Sequence, residues 1–221
     1  MSATGMIALL WTGFGLTHLL LASVRIEPKL QARLGRPGYL ALYSLVALAF
    51  FVPLVAVYLG QRSAGPWLWA IPLTPIGRWL CHVPLVFAIV LIVGGLTTPS
   101  PASVQGGSPE PTGVLRVTRH PMVMGLVLFG AMHVFLNGNA PSVAFFGGFA
   151  VFGLAGAWHQ DRRKLHHRLP GFADFHARTS FLPFARAEAW RGLWEISGTT
   201  AIGGLAAAAA LRWLHGPLLG V

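Results

Sequence analysis

Six stretches of this 221-residue chain are apolar over close to the length that a helix needs to cross a bilayer, and that repetition constrains the fold more than any other feature. They run from about Thr4 to Val24, Tyr39 to Gly60, Ile76 to Thr97, Met122 to Gly138, Pro141 to His159, and Leu193 to Leu214. Spanning hydrocarbon takes roughly 20 residues as a helix. Open sheets are excluded there, because their edge amides have no partner in lipid. The expected fold is therefore all-α: a polytopic membrane helix bundle of about six transmembrane helices. The fourth and fifth spans are joined by only Asn139 and Ala140, which predicts a tight helical hairpin.

Charge supports the reading. Only 10% of residues are charged and mean hydropathy is +0.63, whereas a soluble domain carries about 25% charged residues. No hydrophilic block is long enough to fold separately, so residues 1–221 read as a single membrane domain. The net charge of +10 sits in loops beside apolar spans, where it suits anionic lipid headgroups rather than nucleic acid. One cysteine, Cys81, rules out an intrachain disulfide.

Six spans place thirteen of the sixteen basic residues on one side: Arg25 to Arg36, Arg116 with Arg119, and Arg162 to Arg191. Basic loops face the cytoplasm. Both termini are then periplasmic, and the location expected is a bacterial inner membrane. The first residues lack a basic n-region, so the first span reads as a retained anchor. Trp67 and Trp69 suit an interfacial belt. The segment from Asp161 to Gly192 carries Phe172, Phe175, Phe181 and Phe184. It reads either as an interfacial segment with its rings among headgroups or as a plain positive-inside loop.

Four elements could carry chemistry. His18 and His133 lie inside apolar spans, where a polar ring is expensive and faces the bundle interior. Each could hold a metal or haem iron, or simply bond to a neighbouring helix. In Thr118-Arg119-His120-Pro121, the proline suits a first helical turn. Arg119 and His120 could hold an anionic group at that helix entrance. In Trp158-His159-Gln160-Asp161-Arg162-Arg163, the arginines suit headgroups, and Asp161 could orient His159. His82 is a rival ligand beside Arg78, with a polar boundary role as its alternative.

Together these elements resemble the NnrU family of bacterial membrane proteins, which is related to plant zeta-carotene isomerase. The resemblance rests on His18 to Arg25, Tyr43-Ser44-Leu45, Thr118-Arg119-His120-Pro121 with Gly125, His133 with Asn137-Gly138, Trp158-His159 with Asp161-Arg162-Arg163, and Thr179-Ser180 with Pro183-Phe184. It implies haem b held by His18 and His133 as axial ligands, with Arg119, His120, His159 and Arg162 as further cofactor-binding candidates. It implies redox, nitric-oxide-related or cis-trans isomerase chemistry on a small or apolar substrate such as a carotenoid. The other function implied is a non-enzymatic factor for a denitrification complex such as nitric oxide reductase. Gly130 stands where the isomerase has a cysteine, one turn before its second ligand histidine. Gln61-Arg62-Ser63 lacks a further histidine found in that relative. From the span ends, His18 and His133 differ in depth by about 7 Å at 1.5 Å per residue, whereas axial ligands of an upright haem are nearly level.

Overall fold

The computed structural model describes residues 1–101, 103 and 106–219. Among these the chain is all-helical, with one isolated bridge between Trp67 and Asn139. The elements are α1 (Ala3–Leu21), α2 (Glu27–Gln61), α3 (Pro75–Thr97), α4 (Val114–Val117), α5 (Pro121–Leu136), α6 (Ala140–His166), α7 (Phe172–Arg178), a 3-10 helix (Ala187–Leu193) and α8 (Gly198–Leu219). Four of them, α1, α2, α3 and α6, are long and apolar enough to cross a membrane. The fourth expected span falls in α5, which has 16 residues, about 24 Å of helix. The sixth falls in α8, whose glycines and five-alanine run carry little apolar surface.

Two helices extend beyond the apolar spans. Helix α2 starts at Glu27, well before Tyr39, because Glu27–Leu34 forms a helical arm of its own. The arm breaks from the rest at Gly35 (φ 66°, ψ 168°), and Pro37 follows. A side chain at that φ is disfavoured, so glycine suits the break. Helix α6 continues through Asp161-Arg162-Arg163-Lys164 to His166. Charged straight-chain residues are good helix formers, so leaving an apolar environment does not end a helix.

The chain divides into two compact units. Unit 1 comprises residues 1–72 and 133–167, and unit 2 comprises residues 73–132 and 168–221.

In unit 1, α1 packs on both α2 and α6. The Trp11 indole N–H donates to the Phe145 carbonyl at 3.0 Å, and its ring meets Phe149 at 5.1 Å. Seven residues on, His18 meets Phe152, itself seven residues beyond Phe145. Equal steps in the same direction make α1 and α6 parallel. Trp11 lies against the bare backbone of Gly148, where a Cβ would come within 2.2 Å of the indole. The connection expected to be short is short: α5 ends at Leu136 and α6 begins at Ala140. Residues 66–69 lie over its turn, with the Leu68 N–H donating to the Gly138 carbonyl at 2.8 Å and the Ala140 N–H to the Pro66 carbonyl at 3.0 Å.

In unit 2, α3 packs on α8, and Thr97 and Thr200 share a hydroxyl bond of 3.1 Å. Gly125 lets α5 approach α3 closely; a Cβ there would stand 2.6 Å from the Ala88 carbonyl oxygen. Two phenylalanines of the 161–192 segment, Phe172 and Phe175, point inward, against the reading that seats them among headgroups. Phe172 and Phe175 are buried with Leu115. Phe184 stacks between Phe87 and Trp190. The reason is partner supply: α4 and the start of α5 offer an apolar surface at hand, and burying a ring there removes it from water entirely.

Candidate ligand site around His18

His18 lies in the last turn of α1. Its ring is half-buried. Three aromatic rings surround it: Phe14 at 4.1 Å, Tyr43 at 4.5 Å and Phe152 at 5.2 Å between centroids. Tyr43 and Phe152 come from α2 and α6, so α1, α2 and α6 meet at this imidazole.

The polar side of the site continues toward the C-terminal end of α6. Tyr43 neighbours Tyr39 at 6.0 Å, and Tyr39 is buried with its hydroxyl on the Leu21 carbonyl. Arg163 forms an ion pair of 2.5 Å with Glu27. Glu27 also accepts from the Gln31 amide at 3.0 Å. Phe145, Phe149, Phe152, His159 and Arg163 recur at helical spacing along α6. They form one stripe, aromatic at its start and charged at its end. His159 belongs to this stripe, in the electrostatic field of Arg163 and Glu27. Arg162 does not: it is exposed, and its guanidinium lies over the Trp158 ring at 4.7 Å.

His133 is in the same unit. It stacks on Phe146 with centroids 4.4 Å apart, and the Asn137 amide donates to its carbonyl. Phe146 and Phe152 are six residues apart, which is about 9 Å along α6 and about 120° around it. The two imidazoles therefore rest on different levels and different faces of one helix. Two nitrogens on a single metal ion at about 2 Å each would lie about 4 Å from one another. His133 is thus not level with His18, in the same sense as the depth difference read from the sequence.

Arg119 and His120 belong to unit 2, and both are buried. The Arg119 side chain donates to the Thr179 carbonyl at 2.9 Å and its backbone N–H to the Ser180 carbonyl at 3.0 Å. Thr118 donates to the Phe181 carbonyl at 2.7 Å, and the Phe184 N–H donates to the Val117 carbonyl at 3.2 Å. The Phe181 ring faces both Arg119 and His120. The Thr-Arg-His-Pro and Thr-Ser elements are thus one clasp, closed across 60 residues of sequence. His82 is half-buried and its Nδ1 bonds the Arg78 carbonyl at 2.9 Å, which gives it a local role in its own helix. Among the described residues, no three metal-ligating side chains converge.

Sequence reasoning missed Glu27, Tyr39 and Phe152. Glu27 had a signal, being one of only six acidic residues in a basic chain. Phe152 had none, since fourteen phenylalanines are spread along the chain.

The chain is similar to the protein named 15-cis-zeta-carotene isomerase, chloroplastic, of Zea mays, with 29% identity over 175 residues. The match covers 78% of this chain and 47% of the maize protein. The protein of the same name from Arabidopsis thaliana is 26% identical over 176 residues, with the same coverage. The chain spans about half the length of these curated relatives. No solved structure matches it. The family model described as NnrU protein matches residues 6–221, nearly the whole sequence, and the chain belongs to the NnrU family.

Proposed function

We propose that this chain is a multi-pass protein of a bacterial inner membrane that binds haem b at His18 and acts on an extended apolar substrate, in the manner of a cis-trans isomerase. One observation carries the reading: an intramembrane imidazole at the meeting point of α1, α2 and α6 in a relative of the carotene isomerases. His18 would hold the iron through a ring nitrogen. His133 is the second candidate ligand and stands on another level of α6. When bound, the haem would supply a redox-active Lewis-acidic iron. Phe14, Tyr43 and Phe152 wall the imidazole with apolar surface that excludes water and suits a polyene. The Glu27–Arg163 pair and Tyr39 fix the ends of α2 and α6 beside it.

Six membrane crossings with both termini outside remain our topology. The parallel course of α1 and α6 supports it, because the first and fifth spans of such a chain run the same way. The side bearing Glu27 and Arg163 is then cytoplasmic.

Purification with added haem and an absorption spectrum in both redox states tests the proposal. We expect a Soret band that His18→Ala abolishes. Failure of the protein to take up haem overturns it and leaves the non-enzymatic role in a denitrification complex as the reading to pursue.

A further inference from the structure

The helical arm Glu27–Leu34 has three distinct faces. Glu27 and Gln31, four apart, bond to each other, and Glu27 is tied to Arg163 of α6 with both side chains largely buried. Lys29 and Arg33, also four apart, fall on the roughly opposite side at 100° per residue. Both are exposed, and neither is paired with a carboxylate among the described residues. Between these faces run Ile26 and Leu30, half-buried. A cavity of about 430 Å³ opens there, lined by Ile26, Lys29, Leu30, Ala32 and Arg33. It is an apolar hollow with two cations at its rim. Arg25 precedes the arm, and the break at Gly35 follows it.

We infer that this hollow is a binding site for one anionic phospholipid, with the headgroup phosphate on Lys29 and Arg33 and acyl chain carbon against Ile26 and Leu30. Three points on the molecule select this occupant. The arm adjoins a helix long and apolar enough to span a membrane, so acyl chains are what surround it. Two cations on adjacent helical turns match one phosphate, and basic pockets beside spans favour anionic lipid. The acidic face is engaged by Arg163, so the arm cannot turn its cations away without breaking a buried ion pair. The inference does not depend on haem at His18; it concerns the outer side of the arm whose inner side braces that site.

Full-length protein in detergent, loaded with phosphatidylglycerol or phosphatidylcholine and read by native mass spectrometry, tests it. Wild type is expected to retain one phosphatidylglycerol and to lose phosphatidylcholine. Removing two basic contacts with Lys29→Gln/Arg33→Gln is expected to weaken retention roughly thirtyfold. The charge-matched Arg186→Gln/Arg191→Gln variant, in unit 2, is expected to keep it. Leu30→Gln leaves both cations in place and is expected to weaken retention through the chain alone. Unchanged helical circular dichroism and a single elution peak show that each variant is folded. Equal retention by wild type and Lys29→Gln/Arg33→Gln overturns the inference, as does equal retention of the two lipids. Displacement of the lipid by millimolar inorganic phosphate also overturns it, because the site would then take a soluble anion.

Discussion

The surroundings of His18 and those of Arg119 are built on opposite principles. Around His18 the contacts are ring on ring, from Phe14, Tyr43 and Phe152, and the polar groups are gathered at one end. Around Arg119 the contacts are directed hydrogen bonds between two backbone segments, made by side chains that water does not reach. Aromatic walls are tolerant of what lies between them, because a flat apolar face accepts any flat apolar neighbour. A clasp of buried hydrogen bonds is not tolerant: every group removed strands its partner. Arg119 is thus held as part of a fastener between two backbone segments, whereas the half-buried imidazole of His18 stands among rings.

The comparison breaks most visibly under paired truncations. Arg119→Ala removes the donor from the Thr179 carbonyl and the cation from the Phe181 ring. We expect it to lower resistance to unfolding by about 3 kcal/mol, the upper range for a bond to a charged group. His18→Ala removes a ring that touches three others, and we expect about 1 kcal/mol while the haem spectrum is lost entirely. Unfolding by titration with a denaturing detergent, followed by circular dichroism, gives both numbers. A larger stability loss at His18 than at Arg119 would reverse the assignment of roles.

Much of unit 1 is legible in the sequence and much of unit 2 is not. The long helices follow from apolar length alone, and the short α5–α6 connection from two such runs joined by only Asn139 and Ala140. His18 and His133 stand out because a polar ring in hydrocarbon needs a reason. The depth difference between them follows from helix rise, and the structure reproduces it through Phe146 and Phe152. Periodicity, by contrast, reports only local order. Thr118 and Thr179 are polar residues in polar segments, and nothing in their neighbourhoods says that they close on one another. Phe172 and Phe175 were equally ambiguous, since the same rings suit a headgroup layer or a core. The arm Glu27–Leu34 was hidden for another reason: a short amphipathic helix beside a span resembles a basic loop in composition.

A smaller change sharpens the comparison within unit 1. The Trp11 indole makes a directional bond, to the Phe145 carbonyl. Trp11→Phe keeps the ring contacts with Phe14 and Phe149 and deletes that bond. We expect a loss of about 1 kcal/mol in the same detergent titration, with the His18 spectrum unchanged. A shifted spectrum would show that the α1–α6 register, and not local packing alone, sets the imidazole.

The smallest effect expected lies at the rim of unit 2. A bond of 2.7 Å from Arg116 holds the Glu195 carboxyl below its ordinary pKa, and the Gly113 N–H at 3.2 Å adds to it. A carboxyl whose pKa is depressed by folding contributes stability that is complete above its unfolded-chain pKa and is lost as pH falls through the lower folded value. Resistance to unfolding should therefore fall on acidification, and Glu195→Gln should remove that part of the slope while leaving the rest. Both side chains of the pair are about a quarter to a third exposed, so solvent screens it and the difference between wild type and variant at neutral pH should stay under about 1 kcal/mol. The difference should shrink toward zero in acid and shrink likewise in high salt. A difference that persists below the folded pKa would mean that Glu195 acts by packing, as the rings around His18 do, and the contrast between bonded and packed regions would not extend to this rim.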